Sequence, residues 1–338
     1  MQYRYIGKTG LRVSPICLGT MTFGTQCDKK EAFKIMDKAY KAGVNFFDTA
    51  EIYPVPPSGE LGGLTETIVG EWLQDKPRDK MIIATKVAGA ASGWFVPPTR
   101  HGMTAIDRHH IQRGIEGSLK RLNTDYIDLY QMHWPDTIVP IEESMEAFDR
   151  LVQEGKVRYL GSSNDTAYGM TKANMTAQMK GYKRFESIQN NFSLLNRRFL
   201  DEMKVMCENE RVSLLPYSPM AGGVLSGKYN APFNEKGRFM AYINSANPRV
   251  KAQATRFLNE KTLASTKEYI KIAEEIGISP VTLATAWSKQ FSFVASTIIG
   301  ATTAKQLDDS LAAMELELSK EVLKACDEVH SNILYPMG

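Results

Sequence analysis

The chain has no run of about 18 consecutive apolar residues, so no helical membrane insertion is expected. Its start, MQYRYIGKTG, lacks the apolar centre of a signal peptide. No stretch of five or more basic residues occurs. The net charge is only +3 over 338 residues, which speaks against a nucleic-acid partner. There are four cysteines, Cys17, Cys27, Cys207 and Cys326, without paired spacing. Free thiols in a reducing, cytoplasmic setting are the expectation. The five histidines lack metal-ligand spacing. His109 and His110 are adjacent and on a helix would face different ways, so no metal site is expected. A G-x-G-x-x-G motif is missing, which leaves a Rossmann dinucleotide site unsupported. GGVLSGK at 222–228 matches most of a P-loop, but Tyr229 stands where a magnesium-binding Ser or Thr belongs.

What the chain does have is core material and a rhythm. Hydrophobic residues make up 43% and charged residues 23%, the balance of an ordered globular protein. Short β-branched or aromatic runs alternate with stretches of helical period. Eight strands are predicted to begin near Ile16, Val44, Met81, Tyr126, Val157, Ser187, Val212 and Ala295. MIIAT and YIDLYQM are apolar for most of their length, as in strands buried on both faces of a parallel sheet. Between them, Asp28 and Glu31 look like a capping box. Ile141, Met145, Phe148 and Val152 form an apolar helical stripe. Gly43, Gly155 and Gly277 stand where helices would end. Eight strand–helix units predict an α/β fold, a (β/α)8 TIM barrel forming one domain over 1–338. Two parts fall outside the repeat. Residues 3–14 read as an N-terminal β-hairpin turning at Lys8–Gly10. A long insertion of about 80 residues separates strand 7 from strand 8, and in a barrel it would lie on the ligand-binding face.

Four protonatable side chains fall at three neighbouring strand ends. Asp48 follows VNFF, Tyr53 lies in the next loop, Lys86 ends MIIATK and His133 ends YIDLYQMH. In a barrel that rim is the active-site face. A phenol ionises near 10 and is a weak acid at neutrality, but a nearby ammonium lowers that value. A carboxylate would hold the ammonium in place, and a histidine could orient a substrate oxygen. The set suits protonation of a carbonyl oxygen during reduction. Singly, each residue has a plainer role: Asp48 as a turn cap, Lys86 as a solvated charge or a Schiff-base nucleophile, His133 as a structural residue.

Longer stretches carry a resemblance. LGTMTFG, FFDTAEIYPVPP, GLTETIVGEWL, SLKRLNTDYIDLYQMHWP, GKVRYLGSSN, IQNNFSLLNR, LLPYSPMAGGVLSGKY and STIIGATTAKQL, in this order, resemble the aldo-keto reductase family essentially end to end. The resemblance implies a barrel that binds NADPH/NADP+ and reduces an aldehyde or ketone, with its hairpin closing the barrel bottom. Its catalytic tetrad would be Asp48, Tyr53, Lys86 and His133, with Tyr53 as the acid. The family also contains potassium-channel β subunits, which implies an alternative: a nucleotide-binding regulatory subunit with little turnover. Those subunits differ at the His133 position, so His133 favours an enzyme.

For the cofactor, the resemblance implies Gly19, Thr20, Met21, Gln26 and Asp48 in the first loops. Ser163, Asn164 and Gln189 would meet the carboxamide, which needs both a donor and an acceptor. Tyr217 would stack on the nicotinamide ring. Ser218, Pro219, Met220, Ala221, Gly222 and Lys228 would cover the pyrophosphate, and Arg238 the adenosine 2′-phosphate. Gly300, Thr302, Gln306, Asp309 and Ser310 would form the adenine end. Asp309 and Ser310 depart from the family's usual Glu-Asn and could equally be helix-surface residues. Met21, Tyr53, Trp94, Phe95 and Trp134 are candidate walls of an apolar pocket for a small-molecule carbonyl substrate.

Overall fold

In the N-terminal segment the glycine-bearing turn folds two short strands together. In the computed structural model, which describes residues 2–91, 100–230 and 237–337, β1 (Arg4–Tyr5) pairs antiparallel with β2 (Arg12–Val13). Trp94 and Phe95 lie outside the described residues, as does the side chain of Arg238. Gly7 adopts φ +52°, and a Cβ there would meet the Glu186 carbonyl at 2.5 Å, so only glycine lets the hairpin sit against the barrel.

Eight parallel strands follow: β3 (Ile16–Gly19), β4 (Phe46–Asp48), β5 (Ile82–Val87), β6 (Ile127–Met132), β7 (Val157–Ser163), β8 (Phe185–Gln189), β9 (Ser213–Leu214) and β10 (Thr297–Ile299). Neighbours in sequence are neighbours in the sheet, and β10 returns to pair with β3. The last seam closes through Leu214 N–H to the Phe293 carbonyl (2.8 Å), Ala295 N–H to the Leu214 carbonyl (3.1 Å) and Ile298 N–H to the Pro216 carbonyl (2.8 Å). This is the expected (β/α)8 barrel. β9 is short because Pro216 has no N–H to continue the ladder.

The hairpin plugs one end. Ile6 and Val13 are fully buried against Cys17, Phe46, Ile82, Leu129 and Leu215. Gly7 N–H donates to Ser213 Oγ at 2.8 Å, and Gly10 N–H to Tyr159 Oη at 3.3 Å. Helices cover the outside. The first, Lys29–Lys41, is capped by Asp28, whose carboxylate accepts from Glu31 N–H at 2.8 Å. The reciprocal half of a capping box is replaced: Glu31 instead accepts from Ala304 N–H at 2.8 Å and from Lys34 Nζ at 3.1 Å. The helix thus joins the segment after β10. Gly43, Gly155 and Gly277 end their helices in the left-handed region. The insertion between β9 and β10 carries the helices Arg238–Ile243, Pro248–Phe257, Glu260–Glu275 and Pro280–Lys289.

Candidate active site

Parallel strands carry their side chains to one rim, and β4, β5 and β6 deliver the four residues there. Asp48 is the last residue of β4 and is buried. Lys86, one residue before the end of β5, has no exposed surface, so it is not a solvated charge. Its ammonium donates to Asp48 Oδ2 at 2.5 Å and to the Thr49 carbonyl at 2.8 Å. It also sits 5.0 Å from the centre of the Tyr53 ring. Tyr53 meets His133 edge to face, with ring centres 5.7 Å apart. All four residues of the set are buried together.

Their charge states follow from this burial. Burial pushes the Tyr53 phenol above its ordinary 10.0; Lys86 pulls it down and Asp48 raises it. The Lys86 ammonium does lower this phenol, as expected from sequence, but loss of solvent outweighs it. Burial pulls Lys86 down, yet Asp48 and then Tyr53 overcome that and hold its ammonium above 10.5. His133 goes the other way: burial, then the Lys86 charge, pushes it well below 6.5. At neutral pH the site holds a protonated phenol, an ammonium and a neutral imidazole. The His133 Nδ1 has no partner among the described residues.

Asp48 has a second layer that the sequence reading misses. Its Oδ1 accepts from Gln131 Nε2 at 3.1 Å and from Gln189 Nε2 at 2.9 Å, and the two amides meet at 3.2 Å. Gln131 lies in β6 two residues before His133, and strand period two puts both on one face. A fully buried glutamine in an apolar strand was the available signal. Glu51 is also missed. It accepts from Ala88 N–H at 2.6 Å and lies 3.2 Å from Nε2 of buried His110, tying the Tyr53 loop to the strand that carries Lys86.

Several of the remaining candidates adjoin this centre. Ser163 Oγ donates to the Gln189 carbonyl (2.8 Å), Asn164 Nδ2 to the His133 carbonyl (2.8 Å), and Tyr217 Oη to Asn164 Oδ1 (2.7 Å). Burial pushes Tyr217 up to about 12, against the opposing charge of Arg256. Thr20 Oγ1 donates to the Asp48 carbonyl at 2.9 Å, and Gln26 Nε2 to the Val55 carbonyl at 3.4 Å. Gly19 has a packing reason of its own, since a Cβ would meet Ile298 Cγ2 at 2.8 Å. Met21 and Trp134 pack with Tyr53, Ile52 and Ala88 in one apolar cluster.

The loop after β9 turns back on itself. Ser218, Ala221, Gly222 and Gly223 all have positive φ, with Pro219 and Met220 between them. Ala221 N–H closes one turn onto the Ser218 carbonyl, and Gly223 N–H another onto the Met220 carbonyl, both at 2.8 Å. A Cβ on Gly223 would sit 2.7 Å from Lys228 Nζ, so glycine is what lets the ammonium lie against the turn. Bare backbone beside a held cation fits a phosphate-bearing cofactor. Beyond β10, Gly300 has open space where a Cβ would be. Thr302 N–H and Oγ1 both donate to Gln306 Oε1, at 2.9 and 3.2 Å. Asp309 is exposed, whereas Ser310 is buried and so is not a surface residue.

Residues 15–331 match the model of the aldo/keto reductase family. The chain is 37% identical to the protein Tas of Escherichia coli, over 99% of both chains. It is 38% identical to the "uncharacterized oxidoreductase YrpG" of Bacillus subtilis, over 97% of this chain and 96% of that one. A "probable voltage-gated potassium channel subunit beta" of Oryza sativa is 34% identical over 94% and 92%.

Proposed function

The chain belongs to the aldo/keto reductase family, and on that premise we propose that residues 1–338 form one NADPH-dependent reductase of aldehydes or ketones. The observation that carries this reading is the buried Asp48–Lys86–Tyr53–His133 set.

When bound, the nicotinamide would supply the hydride that the carbonyl carbon takes up. The chain's own residues act at the oxygen. His133, kept neutral by burial, has one N–H to give and orients the carbonyl. Tyr53 stays protonated and donates its proton to the oxygen as negative charge builds there. Lys86, fixed by Asp48, then faces the phenolate and stabilises it until water restores the proton. Gln131 and Gln189 keep Asp48 aimed at Lys86. A Schiff-base lyase needs a neutral amine, and the ammonium held above 10.5 speaks against it.

Ser163, Asn164 and Gln189 would hold the carboxamide and Tyr217 the ring. The 218–222 loop with Lys228 would hold the pyrophosphate and Arg238 the 2′-phosphate. Gly19, Thr20, Met21 and Gln26, with Gly300, Thr302, Gln306, Asp309 and Ser310, would hold the remainder. Met21, Tyr53 and Trp134 would wall the carbonyl pocket.

The test is NADPH oxidation at saturating cofactor against aldehydes, dicarbonyls and ketones. Turnover supports the reductase. Tight NADPH binding with no turnover on any of them favours a nucleotide-binding subunit like the channel β chains.

A further inference from the structure

Tyr53 stands at the end of a short turn, its N–H bonded to the Ala50 carbonyl at 3.1 Å. Ala50 and Ile52 have no polar side chain, and Thr49 Oγ1 is buried without a partner among the described residues. Glu51, in the middle of the turn, fastens it. Its N–H donates to the Lys86 carbonyl at 3.2 Å, and its Oε1 accepts from Ala88 N–H at 2.6 Å. One residue thus grips the chain on both sides of Val87, the last residue of β5, beside the lysine that faces the phenol.

The carboxylate is seated from the other side as well. His110, in the first turn of the helix Arg108–Leu122, is 1% exposed and places Nε2 3.2 Å from Glu51 Oε1. The Asp107 cap fixes that turn by accepting from His110 N–H at 2.9 Å. Gly114 follows four residues later on the same helix face. A Cβ there would lie 3.1 Å from Glu51 Oε2 and 2.8 Å from Tyr130 Oη, so glycine leaves the room that the carboxylate occupies. Tyr130 belongs to β6, the strand that leads to His133. Glu51 therefore lies among β5, β6 and the helix that covers them.

We propose that Glu51 is a positioning residue: it sets where the Tyr53 phenol stands against Lys86, through hydrogen-bond geometry and not through charge. The inference rests on the reductase reading and adds to it a residue outside the tetrad. An amide oxygen accepts from Ala88 N–H as a carboxylate oxygen does, so glutamine can fill the same place. Misplacing a reacting group by about 1 Å costs up to about a hundredfold in rate, so a tether two residues from the acid bears on kcat. A second carboxylate on the same strand gives the comparison. Asp128 Oδ2 accepts from Ile83 N–H at 2.9 Å and from Arg78 Nη2 at 2.7 Å, at the opposite end of β5. It holds the strand as Glu51 does, but away from the rim.

The test uses the full-length chain with NADPH and a panel of aldehydes, dicarbonyls and ketones. Glu51→Ala lowers kcat by about tenfold to a hundredfold, moves KM less, and leaves the Kd of NADPH at the wild-type value. Glu51→Gln restores most of the wild-type kcat. Asp128→Ala loses thermal stability and keeps its kcat. A wild-type kcat in Glu51→Ala overturns the proposal. An equal fall of kcat in Asp128→Ala also overturns it, because Glu51 would then serve only the stability of the fold. A Glu51→Gln variant as slow as Glu51→Ala overturns it too, since the carboxylate would be acting through its charge or a proton. Hydrogen exchange reads the tether without turnover. Glu51→Ala speeds exchange of the amides at 50–53 and at Ala88, and Asp128→Ala does not. Unchanged exchange there in Glu51→Ala refutes the tether even if no carbonyl is reduced. The expected exchange in a chain that reduces nothing supports the tether and sinks only the reductase reading.

Discussion

At the scale of single residues, the site works by holding three protons in fixed places, and each has a measurable consequence. His133 is neutral in the fold because burial depresses its ionisation well below 6.5, while in the unfolded chain it titrates near its ordinary value. As pH falls below 6.5 the unfolded state takes up a proton that the native state refuses. His133 therefore contributes stability above that pH, and the contribution is lost in acid. The loss reaches up to about 1.4 kcal/mol per pH unit from this one group. Denaturant unfolding of wild type and His133→Gln between about pH 7 and 5 should show a shallower acid decline in the variant. Tyr53 is the opposite case. Its raised value keeps the proposed acid protonated beyond 10.0, so reduction should be flat from about pH 7 to 9. A fall centred near neutrality would mean that another group is the acid. Gln131 offers a third check. Gln131→Leu removes one of two donors to Asp48 Oδ1 and should cost about 1–3 kcal/mol of stability. It should also lower kcat more than it raises KM, because Asp48 acts through Lys86. Asp48, Lys86 and His133 are legible in sequence because each is a protonatable group at the end of an apolar strand run, whereas Tyr53 is singled out by the resemblance. Glu51 is not, because loop residues have no period to say which of them turn inward.

At the scale of elements, backbone shape decides what the proposed cofactor loop can hold. Gly223 has φ +97° and packs against the Lys228 ammonium, whereas Gly155 has φ +74° with nothing within 4 Å of a Cβ. Replacing either with alanine should cost about 1–2 kcal/mol for the left-handed backbone. Only Gly223→Ala should also displace Lys228 and weaken NADPH, by about tenfold. Fluorescence titration of both variants separates the two effects. Strands β5 and β6 are readable from sequence because both of their faces are buried, giving unbroken apolar runs. Helix ends are readable from their glycines. The half capping box at Asp28 is not, since Glu31 finds its partner at Ala304, far along the chain. Local pattern carries no record of such a contact.

At the scale of the molecule, the hairpin and the candidate site sit at opposite ends of one barrel. The hairpin seals the end where Ile6 and Val13 meet the barrel interior, and the site occupies the other rim. Ile6→Ala should cost about 2–5 kcal/mol by leaving a cavity and leave the Kd of NADPH unchanged, as thermal unfolding and titration can establish. The eight-unit alternation makes this architecture legible in the sequence. The substrate is less legible, because the candidate walls Met21, Tyr53 and Trp134 lie in loops, where no strand period orders the side chains.

The central claim is that Tyr53 is the acid of a carbonyl reduction, and the most direct measurement is NADPH oxidation by wild type and Tyr53→Phe at saturating cofactor, with the NADPH Kd of each titrated in parallel. The predicted result is a fall in kcat of about a hundredfold to ten-thousandfold with Kd unchanged. A Tyr53→Phe enzyme that reduces carbonyls as fast as wild type would contradict it.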